Sequence, residues 1–186
     1  MEYLILGLLI LSPMTGYDLQ QFIKKNLALI CSPSAGSVQT ALSKLEKSGN
    51  IVVSDAVKGR RHKKIFTITD MGRSAFSAWI AQPMQAEKVK NMELSRLFFA
   101  GLAKPEERLA AIRDYIRQME GTRGILCAIE KQVQCMDPKE LPSGIDWFQV
   151  LRFQRYTIQY GIAAAEFEIR WYRAYLSRHR CQQKPP

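Results

Sequence analysis

Apolar and polar positions change their period several times along the chain, and each change marks an element. Tyr3–Leu11 is apolar nearly all round, which predicts a short buried helix closed by Ser12-Pro13. Tyr17, Leu19, Phe22 and Ile23 then give a second helix its apolar side, ending near Asn26. Thr15 is its candidate cap, with Asp18 three residues on in the manner of a capping box. In the third helix Val38, Ala41, Leu42 and Leu45 recur at i, i+3, i+4 and i+7, a single apolar stripe. Ser34 is placed to cap it, and Gly49 sits where a left-handed residue closes a helix. Its other face carries Gly36, Gln39, Thr40, Ser43, Lys44 and Lys47, with Ser34 and Ser37 at its start. That face is small residues, hydroxyls, an amide and lysines, and it reads as free of acid.

The period then shortens. Ile51–Ser54 is strand-like, and in I-F-T-I-T at 65–69 Ile65, Thr67 and Thr69 alternate with Phe66 and Ile68. Between them lies K-G-R-R-H-K-K, Lys58 to Lys64, so the pair reads as a hairpin with a basic, glycine-containing turn. Asp70 is the candidate cap of a fourth helix carrying Ala75, Phe76, Trp79 and Ile80, with Pro83 beyond it. After a connector the pattern is helical throughout: a short helix over 94–102, a long one opening at Pro105, a turn at 137–144 and a last long helix from Ile145. The first long helix carries Leu109, Ile112, Ile116 and Met119 toward Ile129, Val133 and Met136, with Gly121 and Gly124 as sites for a bend. The last carries Trp147, Leu151, Ile158, Ile162, Ala165, Ile169, Trp171, Tyr172 and Leu176.

The expected fold is therefore mainly α. Residues 1–82 form an α-α-α-β-β-α domain, 83–93 a linker, 94–180 an all-helical domain and 181–186 a disordered tail. Two long amphipathic helices cannot cover both their faces on one small domain, so pairing with a second copy is expected. The residues expected at that interface are Leu94, Leu97, Phe98, Ile158, Ile162, Ala165, Ile169, Trp171 and Tyr172.

Charge adds a partner. The 27 Lys and Arg against 17 Asp and Glu leave +10, which points to a polyanion such as nucleic acid or an anionic membrane surface. Tyr3–Leu11 is about half of the ~20 residues that a spanning helix needs, and Glu2 precedes it where a signal peptide is basic. A cytoplasmic protein with no membrane partner is expected. Cys31, Cys127, Cys135 and Cys181 form no C-x-x-C pair and have only His62 and His179 beside them, so no metal, cofactor or disulfide framework is expected. Without a glycine-rich phosphate loop or a paired nucleophile and base, an enzyme is the least favoured class.

Three helices followed by a basic hairpin is the order of a winged helix-turn-helix. The third helix then enters the major groove of double-stranded DNA and the hairpin follows the phosphates toward the minor groove. The candidate DNA-binding residues are Ser34, Ser37, Gln39, Thr40, Ser43, Lys44 and Lys47 on the helix, and Lys58, Arg60, Arg61, Lys63 and Lys64 on the wing. Other readings stay open. A basic hairpin by itself is also a solvated turn, and a winged domain without DNA binding would be an adaptor for acidic protein surfaces. RNA is a third partner of the same charge.

These residues also resemble a family. L-L-I-L-S-P-M-T-G-Y-D-L at 8–19, V-Q-T-A-L-S-K-L-E-K-S-G-N-I from Val38 and G-R-R-H-K-K-I-F-T-I-T-D-M-G-R at 59–73 are similar to the PadR family of transcriptional regulators. L-F-F-A at 97–100 and E-I-R-W at 168–171 resemble its longer-armed branch, which includes activators of virulence genes. The resemblance implies a homodimer held by antiparallel C-terminal helices. Members usually carry Tyr-Pro where this chain has Gln39-Thr40, and a wing tyrosine where it has Phe66. Shorter members hold flat aromatic compounds at the dimer interface, which makes a small aromatic effector an implied partner. Trp79, Trp147, Phe148, Tyr156, Tyr160, Trp171 and Tyr172 are aromatics either for such a ligand or for a dimer core.

Overall fold

The computed structural model describes residues 1–27, 34–58, 61–83 and 92–182. In chain order they form α1 (Glu2–Leu11), β1 (Met14–Thr15), α2 (Gly16–Asn26), α3 (Ala35–Lys47), β2 (Ile51–Lys58), β3 (Arg61–Ile68) and α4 (Asp70–Ile80). Then follow α5 (Met92–Phe98), a 3-10 turn at Ala100–Leu102, α6 (Pro105–Gln134), a second 3-10 turn at Pro138–Glu140 and α7 (Trp147–Gln182). They fall into two compact units, one of Met1–Gln85 with Glu140–Ile145, the other of Ala86–Lys139 with Asp146–Pro186.

The first unit is built on the predicted stripes. Val38, Ala41, Leu42 and Leu45 of α3 are all buried, against Ile5, Leu6, Leu8 and Leu9 of α1 and Leu19 and Ile23 of α2. Ile51, Phe66 and Ile68 close the core from the sheet. Burying a side chain of this size stabilises by roughly 1.5–3 kcal/mol, so α1, apolar all round, is held by tertiary packing.

The sheet has one more strand than the sequence pattern shows. β1 pairs antiparallel with β3, Met14 opposite Phe66 and Thr15 opposite Ile65, giving the order β1-β3-β2. Two residues are too few to carry an alternation. The two long strands also run further than expected. β2 reaches Lys58 and β3 starts at Arg61, so the hairpin ladder extends through most of the basic heptapeptide. Gly59 and Arg60, which join the strands, lie outside the described residues, as do the side chains of Lys58, Arg61 and His62.

Three further expectations change in this unit. Tyr17 is no part of the core: it is 69% exposed. On a helix of 3.6 residues per turn it lies opposite Leu19. Trp79 and Ile80 are exposed too, and Trp79 stacks on Tyr3 with ring centroids 4.9 Å apart. Finally Thr69, not Asp70, caps α4, its Oγ1 accepting from the Gly72 N–H at 3.1 Å. The same hydroxyl donates to the Gly49 carbonyl at 2.7 Å, where Gly49 turns the chain at φ 72°.

In the second unit α6 and α7 pack side by side along their length. Arg123 meets Glu166 at 2.8 Å and Gln159 meets Glu130 at 2.7 Å, with Arg173–Glu120 and Tyr115–Glu168 as further links. Ile112, Ile116, Ile169 and Tyr172 form the core between them, and Leu97 of α5 packs on it. The helix α6 runs unbroken through Gly121 and Gly124. The expected helix over 94–102 is α5 plus a 3-10 turn, and α7 starts at Trp147 and reaches Gln182, into the expected tail. Residues 183–186 and the connector over 84–91 lie outside the described residues.

The expected interface residues divide accordingly. Ile158, Ala165, Ile169 and Tyr172 are buried within the single chain, and Leu97 and Ile162 are half-buried. Leu94, Phe98 and Trp171 are exposed. A second apolar face of α7 points outward instead: Phe153, Tyr160 and Phe167, seven residues apart, with Tyr156 beside them. Periodicity marks both faces as apolar and does not say which one meets the chain's own α6.

Candidate nucleic-acid interface

α3 is fixed at both ends. The Ser37 N–H donates to Ser34 Oγ at 3.1 Å and the Ser37 hydroxyl donates to the Ser34 carbonyl at 2.8 Å. At the other end the Asn50 N–H reaches back to the Leu45 carbonyl at 2.9 Å, past Gly49. With the apolar stripe buried, Ser34, Gly36, Gln39, Thr40, Lys44 and Lys47 are exposed, while Ser37 and Ser43 are half-buried. Two features modify the expected acid-free face. Glu46 is exposed at its flank, seven residues on from Gln39, and Lys44 Nζ lies 3.5 Å from Glu2 of α1. Lys44 thus shares its charge with a carboxylate, in solvent where such a pair is worth little.

The wing is placed by ladder register. Lys64 lies opposite Asp55, Lys63 opposite Ala56, His62 opposite Val57 and Arg61 opposite Lys58. Lys63 and Lys64 are exposed. Phe66, two residues further along, is only 6% exposed and belongs to the core, so its ring acts as packing.

These elements meet at one place. Thr15, Gly16, Tyr17, Gln39, Lys63, Lys64 and Phe66 line an open groove of about 590 Å³. The β1–β3 pairing creates it by laying the start of α2 along the wing strand, below the exposed face of α3. Sequence reading chose Gln39, Lys63 and Lys64 but missed Tyr17, counting it as core. The signal was there: Tyr17 falls off the Leu19–Ile23 stripe on a helical wheel. Lys47 and the hydroxyl pair Thr40 and Ser43 stay on α3 outside the groove lining.

The described residues contain no group of three or more His, Cys, Asp or Glu arranged for a metal ion. No helix among them is long and apolar enough to cross a membrane.

Residues 5–78 match the family described as "Transcriptional regulator PadR-like family", and residues 89–180 match "Virulence activator alpha C-term". The negative transcriptional regulator PadR of Bacillus subtilis is 27% identical over 123 residues, 64% of this chain and 67% of that protein. Its crystal structure in complex with operator DNA has a TM-score of 0.76 at 21% identity, covering 95% of this chain and 97% of that one. The same protein in complex with p-coumaric acid gives 0.69 at 20% identity, with 95% and 93% covered. The Vibrio cholerae virulence activator AphA gives 0.71 at 19% identity, with 97% and 98% covered. The first unit thus carries a domain of the PadR-like transcriptional regulators over residues 5–78, and the helical arm a domain of the virulence-activator C-terminal type over residues 89–180.

Proposed function

We propose that this PadR-like regulator binds operator DNA as a homodimer, with residues 1–82 as the DNA-binding domain, 83–93 as linker and 94–180 as the dimerisation domain. The observation that carries this reading is the shared groove, in which a base-reading amide from α3, Gln39, and two ammonium groups from the wing, Lys63 and Lys64, line one surface. α3 lies in the major groove, where Gln39 is suited to an adenine edge and Thr40 and Ser43 to bases or phosphates. Ser34, Ser37 and Lys47 position the helix on the backbone, with Lys44 a weaker contributor. Lys63 and Lys64, with Lys58, Arg60 and Arg61, hold phosphates and release counterions. The complex of the Bacillus subtilis relative with operator DNA supports duplex DNA as the partner.

The outward face of α7 carries the dimer. Phe153, Tyr156, Tyr160, Phe167 and Trp171 of α7, together with Leu94, Phe98, Phe99 and Leu102, are exposed in the single chain, and apolar side chains exposed in such number mark a surface that another protein covers. A two-fold axis covers such a face with its own copy. The regulator works without catalysis, in the cytoplasm, and small aromatic acids are the effector class that the p-coumaric acid complex of the relative supports.

A mobility shift with the DNA upstream of the protein's own coding sequence, run from low to high salt, tests the reading. Retardation that fades steeply with salt is expected. A protein that retards no duplex at low salt is not a DNA-binding regulator, and its basic face then serves an acidic protein.

A further inference from the structure

We infer that the groove between the start of α2 and the wing strand β3 seats one DNA backbone phosphate, held by a hydrogen bond from the Tyr17 phenol. This rests on the DNA-binding reading above and adds a contact that belongs to neither the recognition helix nor the wing.

The geometry begins with β1. Its pairing to β3, Met14 opposite Phe66 and Thr15 opposite Ile65, fixes the height of Tyr17 relative to Lys63 and Lys64. The ring stands on the solvent side of α2, 69% exposed, while Leu19 on the opposite side is fully buried. Nothing in the packing of the unit explains a tyrosine there. Among the described residues Tyr17, Gln39, Lys63 and Lys64 have no hydrogen bond or ion pair, so their donors are open to a ligand. Two carboxylates are near in sequence or register, and neither lines the groove. Asp18 accepts the Thr15 hydroxyl at 2.7 Å, and Asp55 sits across the ladder from Lys64.

The wall of the groove therefore offers two ammonium groups, an amide and a phenol, and no acid. Two lysines on flexible stems supply charge without fixing position. A phenol has only two side-chain torsions and donates from a rigid ring, so it fixes where the anion sits. A monoanionic phosphodiester satisfies both demands, and charge-assisted bonds of this kind are the stronger ones. Gln39 lines the same groove and is left to face the bases, while the phosphate seat is the same for every base sequence. Tyr17 is thus a backbone contact that adds affinity without choosing among sites.

The test uses a duplex selected by the intact protein from a random pool, and copies of it with single phosphates replaced by neutral methylphosphonate. Y17F should fold as the wild type by circular dichroism and bind about tenfold more weakly. Its salt slope and its ranking of sites should be unchanged. One methylphosphonate position in each half-site should weaken the wild type strongly and Y17F much less. Wild-type affinity in Y17F, or no such position, removes the phosphate seat, and a changed ranking of sites makes Tyr17 a base contact instead. A wild-type protein that selects no duplex overturns the DNA-binding reading, and the seat falls with it.

Discussion

Gly72 is a residue at which the fold leaves little freedom. A Cβ built there comes within 2.1 Å of the Asn50 carbonyl oxygen and 2.8 Å of Ile68 Cγ1. The first of these is backbone, which cannot swing aside as a side chain does. Gly72→Ala should therefore cost about 2–3 kcal/mol and lower the melting temperature by about 10 °C or more, read by thermal denaturation. Thr69→Ala should cost about 1 kcal/mol for the lost cap and a further amount for the bond to Gly49. Asp70→Ala, with no capping role, should be near neutral, and equal losses in the two variants would reverse the assignment. Gln39→Ala belongs to this scale as well. It should change which sites are preferred while leaving the salt slope as it was, measured by selection from a random pool.

At the scale of elements, the wing is a two-stranded ladder with nearly all of its basic residues in register. K63A/K64A should lower the salt slope by about two for each protomer, since each phosphate contact contributes roughly 0.9. It should weaken selected and random duplexes alike, and a variant that lost only its preferred site would contradict the phosphate role. The elements also show what could be read in advance. The α3 stripe was legible because four apolar residues at i, i+3, i+4 and i+7 leave one solution. The third strand was not, because Met14–Thr15 is shorter than one period of alternation. Residue type places Tyr17 in the core, whereas its angular position on α2, opposite Leu19, places it in solvent. The cap of α4 is not legible to the residue, since Thr69 and Asp70 are both good capping residues and only geometry separates them.

At the scale of the whole molecule, the legible part of the arm was its amphipathicity and the illegible part its partner. Both faces of α7 are apolar: Ile158, Ala165, Ile169 and Tyr172 are buried within the chain, whereas Phe153, Tyr160 and Phe167 are exposed. Phe153→Glu with Tyr160→Glu should yield monomers by sedimentation, with the fold kept, because both residues are exposed in the single chain. Ile158→Glu should unfold the arm, since it is buried within the protomer. A double variant that stays dimeric at micromolar concentration would move the interface elsewhere. On the dimer reading, loss of pairing should also weaken operator binding far more than it weakens random duplex, because only the former uses two half-sites together.

The clasp at the end of α3 has a consequence of a different kind. Thr69, which leads out of β3, bonds the Gly49 carbonyl and donates its N–H to the Asn50 carbonyl at 3.1 Å, and Gly72 lies flat against that same carbonyl. Helix and wing strand are thereby locked to each other at a common root. If the first rests on base edges and the second on phosphates, their separation is a built-in caliper. A duplex whose groove is too wide or too narrow for that span must be deformed before both ends can touch. The protein then discriminates by the stiffness of DNA at base pairs that it never contacts.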